Sequence, residues 1–421
     1  MPLGEPPSRV PSPAGPPGGQ DRATRPLRVA AVIARLEGGA GLQAFRGACA
    51  IDPDEIEITL ITGSGDYLLA AAERAGVPVI LEPSLCADLD PVHDSQALRR
   101  LTSLFRTRAF DVVHTHGAKA GAVGRLAARR AGVPRIVHTY HGFPFHEFQS
   151  AARRRAYVAI ERRLGRITDM VLCTGTAVAA EAIRRGLAPP HCVRAIGVAV
   201  PGAGQDAVPD RRNPQARARA RLALGLPADE VVVGAVGRLT YQKVPEDFVA
   251  ALRALGPGVT GVWIGSGELA RPVARLAGAV PGLRLVLPGE RHDVADLLPA
   301  LDVFVLPSRY EGLPTVIVEA MLAGVPVVAT AVNAVTDLVS PGETGLLVPP
   351  RRPDLLAAAV RHVLSSPGDA ARMAAEARTR VGDRYGEPAL RAALMSAYAP
   401  GRPPGAGISS VEPARSAADG G

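Results

Sequence analysis

Two glutamates, Glu311 and Glu319, stand eight positions apart in the segment VFVLPSRYEGLPTVIVEAMLAGVPVVAT, residues 303–330. The segment reads as a buried strand ending at Leu306, a loop over 307–313, and a helix opening at Pro314. The fixed φ of proline suits a first helical turn, and its missing N–H costs nothing there. Gly324 stops the helix and Pro326 opens the next strand. A helix N-terminus is thereby brought to the carboxyl edge of a sheet, where free backbone N–H groups attract phosphate or sugar oxygens. Glu311 lies in the loop facing that point, and Glu319 about a turn and a half inside the helix. Two carboxylates bracketing one loop can accept hydrogen bonds from two sets of hydroxyls on one ligand. A capping Glu311 and a solvated Glu319 fit the same spacing.

Arg238 and Lys243 follow a strand candidate in GRLTYQK. A guanidinium and an ammonium just past a strand end can neutralise a diphosphate, and a surface loop with two solvated cations is the plainer alternative. All but two of the 48 basic residues are arginines, and Lys243 is one of the exceptions, with Lys119. Gly38-Gly39-Ala40-Gly41 follows the first strand. It can admit a phosphate or an acceptor close to the backbone, or form an ordinary turn. Of nine histidines, five fall between His114 and His146. His-x-His at 114 and 116 suggests zinc, but no matching ligand pair follows at a known spacing. His141, before Gly142, is the histidine expected to reach a cleft, whereas His114 and His138 read as satisfied core residues. Asp88-Leu89-Asp90 offers carboxylates for a metal–nucleotide complex, and a solvated loop is preferred there. Residues 152–167 carry six arginines and one glutamate, with Tyr157, Ile160, Leu164 and Ile167 on one helical stripe. Such a helix suits an anionic membrane surface or a solvated domain face.

The elements that must position these residues are legible as apolar runs. Strands are expected at 27–34, 57–62, 77–81, 111–115, 135–139, 170–174 and 193–198, then at 231–236, 261–265, 283–287, 303–307, 326–330 and 345–348. Continuous apolar runs fit strands buried on both faces of a parallel sheet, and their alternation with helices argues for βαβ units. The α/β pattern breaks near residue 205, between Pro201 and Pro227. Disordered tails are expected over 1–26 and 400–421, a first Rossmann-like domain over 27–205, and a second over 206–385. A helix over 386–399 is expected to return to the first domain. Ligands in open α/β sheets bind beyond the carboxyl ends of the strands, so the cleft between the domains is the expected site.

Composition narrows the function. The 421 residues are 47% hydrophobic and carry a net charge of +8, which excludes disorder throughout. Four scattered cysteines show no C-x-x-C spacing and read as reduced, mostly buried thiols of a cytoplasmic protein. The longest apolar stretch, 320–335, is interrupted by Gly324, Pro326 and Asn333, short of the about 20 residues a span needs. No signal core opens the chain. The basic charge suits a phosphorylated ligand or an anionic surface, and nucleic acid is not expected, because no recognised module appears.

EGLPTVIVEAMLAGVPVVAT resembles the E-x7-E signature of the family 4 retaining glycosyltransferases. GRLTYQK, WIGSGEL and SPGETGLLVPP resemble further blocks of that family in the same order. In the first half, ARLEGGAG, DVVHTHGAKAGAVGRLAARRAGVP and HTYHGFPFHEF resemble members that build bacterial surface polysaccharides. The resemblance spans residues 27–398. It implies a GT-B fold and transfer of a hexosyl group from a nucleotide-diphosphate sugar, UDP-linked in preference to GDP-linked, to a glycan or lipid-linked acceptor. It implies Glu311 at the transferred sugar, Glu319 at the ribose, and Arg238 and Lys243 at the diphosphate. Gly312, Leu313 and Pro314 would bring backbone close to sugar and phosphate, His141 would stand near the reacting centre, and Gly39 near the donor phosphates. No metal and no cofactor are implied. The chain departs from the family at Ile196-Gly197-Val198-Ala199, where relatives show Asn-Gly-hydrophobic-Asp, and at Asn333–Asp337, where many end in Glu after a glycine. A GT-B nucleotide-sugar 2-epimerase and a catalytically silent binding relative are the rival readings. The expected place of action is the cytoplasm, with peripheral contact at the inner membrane face as an option.

Overall fold

The computed structural model describes residues 25–86, 90–203 and 208–399. The expected domain boundary near residue 205, most of the two expected tails, and Asp88 and Leu89 lie outside them. The first half contributes β1 (Leu27–Leu36), β2 (Ile56–Gly65), β3 (Val79–Leu81), β4 (Val112–His116), β5 (Arg135–Tyr140), β6 (Met170–Cys173) and β7 (Val193–Ala195). The second contributes β8 (Val231–Val236), β9 (Val259–Ile264), β10 (Arg284–Gly289), β11 (Val303–Leu306), β12 (Val327–Thr330) and β13 (Leu346–Val348). They form a seven-stranded sheet in the order β3-β2-β1-β4-β5-β6-β7 and a six-stranded sheet in the order β10-β9-β8-β11-β12-β13. The strand pairings are parallel.

Parallel strands must be covered on both faces, which leaves their carboxyl ends as the place for polar chemistry. In each sheet the strand order reverses once, between β1 and β4 and between β8 and β11. A crevice opens at such a reversal because the crossover helices diverge to opposite faces. The carboxyl ends of these four strands and the segments just beyond them carry Gly39, His116, Arg238 to Lys243, and Ser308 to Pro314. The chemistry-bearing motifs thus sit at both reversal points.

The helix Glu387–Tyr398 leaves the second half and packs on the first sheet. Its Leu390, Leu394, Ala397 and Tyr398 share an apolar cluster with Val29, Leu60 and Val112. A larger cluster joins the halves, with Tyr140, Phe145 and Val178 from one side and Leu306, Leu313 and Ala334 from the other. Cys173 and Cys192 are buried and Cys49 is exposed.

Two expectations need correction. β7 ends at Ala195 rather than Val198. Beyond it the backbone of Ala199 is clasped by Gln43, whose Nε2 donates to the carbonyl at 2.9 Å and whose Oε1 accepts the N–H at 2.9 Å. Side-chain partners there replace a sheet neighbour. The helix Ala151–Gly165 buries Val158, Glu161, Leu164 and Gly165, while Ile160 is 46% exposed. Of the expected stripe, Leu164 is buried and Tyr157 packs on the core, but Ile160 faces outward, and the packed face is shifted to take in Val158 and Glu161. The cause is a buried ion pair. Arg125, fully buried, donates from Nη2 to Glu161 Oε2 at 2.7 Å, and the Tyr140 hydroxyl donates to the same oxygen at 2.7 Å. Pairing and hydrogen bonding make a buried carboxylate tolerable.

Glu161→Leu should lower stability by about 3–5 kcal/mol, because it strands the Arg125 charge in the core. Replacing both residues together, Arg125→Met with Glu161→Leu, should recover most of the loss. Urea unfolding of the three proteins measures this, and equal midpoints for wild type and Glu161→Leu would contradict it.

Candidate active site

The second-half side of the site is built on one carboxylate. Glu311 is buried, and its Oε1 accepts from Lys243 Nζ at 2.6 Å and from the Ser308 hydroxyl at 2.5 Å. Gln242 Nε2 reaches Oε2 at 3.3 Å and donates to the Tyr310 carbonyl at 3.0 Å. The Glu311 N–H donates to Asn333 Oδ1 at 3.0 Å. Two loops at the β8/β11 reversal are thus tied together by charge-assisted bonds. Glu311 is held by an ion pair, not spent as a helix cap. The helix begins at Thr315, with Pro314 in the capping position and no side-chain cap, so its first N–H groups remain available at the cleft. Arg238 is exposed at the same rim.

Gly312 meets the first half through backbone. A Cβ on Gly312 would stand 1.6 Å from the His141 carbonyl oxygen, so only glycine fits. His141 Nε2 lies 3.0 Å from His116 Nδ1, and the two rings stack. His114 bonds the Tyr398 hydroxyl at 2.7 Å and Thr139 Oγ1 at 2.6 Å, so it is satisfied as expected. His138 is not fully satisfied. Thr115 Oγ1 lies 2.9 Å from its Nδ1, but its buried Nε2 has no partner. Burial pushes the His141 imidazole down to about 4 and that of His114 down to about 3, with His141 adding to the latter. His116 and His138 are driven well down by burial and by neighbouring cations and imidazoles. The group is a set of neutral imidazoles.

Glu319 is partly buried, and burial raises its carboxyl against the opposing pull of Arg46 from the first half. Arg46 Nη1 also donates to the Ala199 carbonyl at 2.7 Å. Gly39 is exposed in the first turn of the helix Gly38–Cys49, and a Cβ there would meet nothing within 4 Å. Gly41 is the glycine that packing demands, since a Cβ would lie 2.8 Å from the Leu36 carbonyl carbon. Asp90 caps the helix Pro91–Arg108 and bonds His93, so it serves structure. Across the mouth of the cleft, His146 stacks on Tyr310 with centroids 4.2 Å apart, and Tyr67 meets His292 at 4.2 Å.

This arrangement has known counterparts. Residues 230–366 match a family model described as glycosyl transferases group 1, and residues 38–198 match a glycosyl transferase 4-like domain. The UDP-Gal:alpha-D-GlcNAc-diphosphoundecaprenol alpha-1,3-galactosyltransferase of Escherichia coli is 33% identical over 279 residues, 63% of this chain and 69% of the relative. The chain belongs to the family 4 glycosyltransferases. The D-inositol 3-phosphate glycosyltransferase of Thermobispora bispora is 29% identical to this glycosyltransferase over 346 residues, 77% of this chain and 76% of that one. The fold is GT-B. HepE of Anabaena, solved with UDP-glucose, superimposes with a TM-score of 0.74 at 21% identity over 88% of this chain and 98% of its own. WaaG, a glycosyltransferase involved in lipopolysaccharide biosynthesis, gives 0.70 at 18% identity over 89% and 100%. The transferase reading stands, and neither the epimerase nor the silent relative is favoured.

The glycosyltransferase brings Glu311, Gly312, Lys243 and His141 into one neighbourhood. Sequence reasoning missed Ser308, Gln242, His116, Asn333 and Arg46. Ser308 and Gln242 lie inside the motifs that carry the chemistry, His116 lies in the His-x-His, and Asn333 opens the segment that departs from the family pattern, so a signal exists for all but Arg46.

The depressed imidazoles set a pH dependence. Below about 6.5 the unfolded chain takes up protons that the folded chain refuses, so stability is lost as pH falls from there toward the folded values. Melting temperature should decline between about pH 7 and pH 5, where ordinary carboxylates stay ionised. A flat profile in that window would show that these imidazoles titrate normally.

Proposed function

We propose that this enzyme is a retaining transferase that moves a hexosyl group from a UDP-sugar to a glycan or lipid-linked acceptor in surface polysaccharide synthesis. The observation that carries the reading is the Lys243–Glu311 pair at the β8/β11 reversal, opposite the His141–Gly312 contact. Breaking the bond between sugar and diphosphate needs stabilisation of the departing anion. Lys243 has three N–H donors, of which Glu311 takes one. With Arg238 and the N–H groups that open the helix at Thr315 it forms a fixed electropositive rim. Glu311 then takes sugar hydroxyls, Glu319 the ribose, and Gly39, Gly312, Leu313 and Pro314 let backbone approach the ligand. The His141 imidazole, held neutral, can donate or accept a hydrogen bond at the sugar without adding charge. The leaving phosphate serves as the base for the acceptor hydroxyl, so no protein base is required. Preference for a UDP-sugar is supported by the donor in the name of the E. coli relative and by the UDP-glucose bound to HepE.

The acceptor side extends the reading. Glu161 is turned inward to Arg125, so the outer face of the helix Ala151–Gly165 is uncompensated. Arg153, Arg155, Arg162 and Arg163 are exposed there beside Ile160, and Arg166 follows. No helix among the described residues is long and apolar enough to cross a membrane. We place the enzyme at the cytoplasmic face of an anionic membrane, touching it through this helix.

Release of UDP that depends on added acceptor, with retention of the anomeric configuration by NMR, is the expected activity. Lys243→Ala should raise the barrier by about 2–4 kcal/mol in kcat/KM, by analogy with the loss of one anion-stabilising donor. Near-normal kcat/KM in a folded variant would remove Lys243 from the site. Anionic vesicles should co-sediment wild type at low salt, with less than half the binding in Arg153/Arg154/Arg155→Ser, since each basic residue is worth about 1 kcal/mol near such a surface. Equal binding by both proteins would leave the helix as ordinary domain surface.

A further inference from the structure

The short 3-10 helix Asn333–Asp337 touches both halves of the molecule. At its start, Asn333 Oδ1 accepts the Glu311 N–H at 3.0 Å. Asn333 has φ 42, in the left-handed region that asparagine tolerates better than most side chains. At its end, Asp337 leaves its own half. Its Oδ1 accepts the Thr176 hydroxyl at 2.6 Å and its Oδ2 accepts the Ala177 N–H at 3.1 Å. Those groups open the helix Thr176–Arg184, whose own capping residue, Gly175, offers no side chain. A capping acceptor normally comes from the residue just before the helix. Here it comes from a carboxylate of the opposite half, where a negative charge also suits the helix dipole. Gly175 makes room for it, since a Cβ there would stand 2.5 Å from Asp337 Oδ2 and 2.9 Å from Ala334 Cβ.

The piece between the two ends is stiff. Ala334 and Val335 are fully buried, and the Thr336 hydroxyl donates to the Asn333 carbonyl at 2.9 Å. A displacement of Asp337 is therefore carried to Asn333 and cannot be absorbed between them.

We propose that Asn333 and Asp337 are positioning residues that tie the register of Glu311 to the contact between the two halves. The proposal rests on the reading of Glu311 as the group that meets the transferred sugar. Capping of the Thr176–Arg184 helix by Asp337 holds the 3-10 helix, and the 3-10 helix holds the Glu311 amide. When the halves part, the cap is lost and Glu311 loses its register. The glutamate is aligned only while the cleft is closed to water, which protects an activated sugar from hydrolysis.

Asn333→Gly keeps the left-handed backbone and removes only the acceptor, so its fold is secure. Asp337→Ala removes the cap, and Thr176→Val removes the hydroxyl bond that holds Asp337 in it. Hydrogen–deuterium exchange of the 308–314 segment and steady-state kinetics are measured on all three full-length proteins. Faster exchange at the Glu311 amide is expected in each. A fall in kcat of about tenfold or more is expected for Asn333→Gly and Asp337→Ala, with the donor KM within about twofold, because the loss is one of alignment. Wild-type exchange over 308–314 in Asp337→Ala, or a change confined to the Thr176–Arg184 helix, would overturn the coupling. So would a raised KM with unchanged kcat. Absence of transfer in wild type with any nucleotide sugar would instead sink the assignment of the reaction, and the exchange data would still decide the coupling.

Discussion

The two halves of this enzyme come into backbone contact at Gly312. The His141 carbonyl occupies the space that a side chain on residue 312 would need, and the whole cleft is organised around that approach. A methyl group there would push the halves apart and carry Glu311 away from His141. Closeness of this kind cannot be supplied by side chains, which would themselves fill the gap. It follows that the residues flanking Gly312 must be held from the sides. Ser308, Gln242 and Lys243 hold Glu311 on one flank, and Asn333 holds its amide on another.

Charge is managed by the same economy of position. An arginine-rich chain risks burying cations without partners, and this one pairs the deepest of them. Arg125 meets Glu161 in the first half. In the second, Asp302 gathers Arg211, Arg217 and Arg221 and also accepts the Val232 N–H at 2.8 Å, fixing the start of β8. Such pairs gain little over apolar packing but are costly to break, so they specify the arrangement more than they stabilise it. Lys243 is different, because its partner lies in the cleft, where a ligand oxygen can share the ammonium.

Much of this was written in the sequence at the level of elements. The thirteen expected strands all exist, because strands buried on both faces are continuous apolar runs that need no partner to be recognised. Local reasoning failed where a distant partner decided the outcome. The stripe on 152–167 is only partly the packed face, because Glu161 counts as polar in any periodicity, yet is buried by Arg125, 36 positions away. β7 was drawn too long because Val198 looks like strand, whereas the clasp on Ala199 comes from Gln43, 156 positions away. The rarity of lysine drew attention to Lys243 and equally to Lys119, which pairs with Asp94. The pairing of Lys243 with Glu311 was unreadable, since each had been given a separate role. The departures at 196–199 and 333–337 were visible only as mismatches, because the groups they touch lie in other parts of the chain.

The closing helix has a consequence for how the molecule is made. Residues Leu390 to Tyr398 complete the apolar core beneath the first sheet, and the Tyr398 hydroxyl reaches His114, whose ring lies against His116. Translation delivers the first sheet well before this helix. Until residues 390–398 are made, the first sheet lacks part of its apolar cover and His114 lacks its Tyr398 partner. The first half is therefore completed only after the second has been translated, and its open face is an aggregation hazard in the meantime.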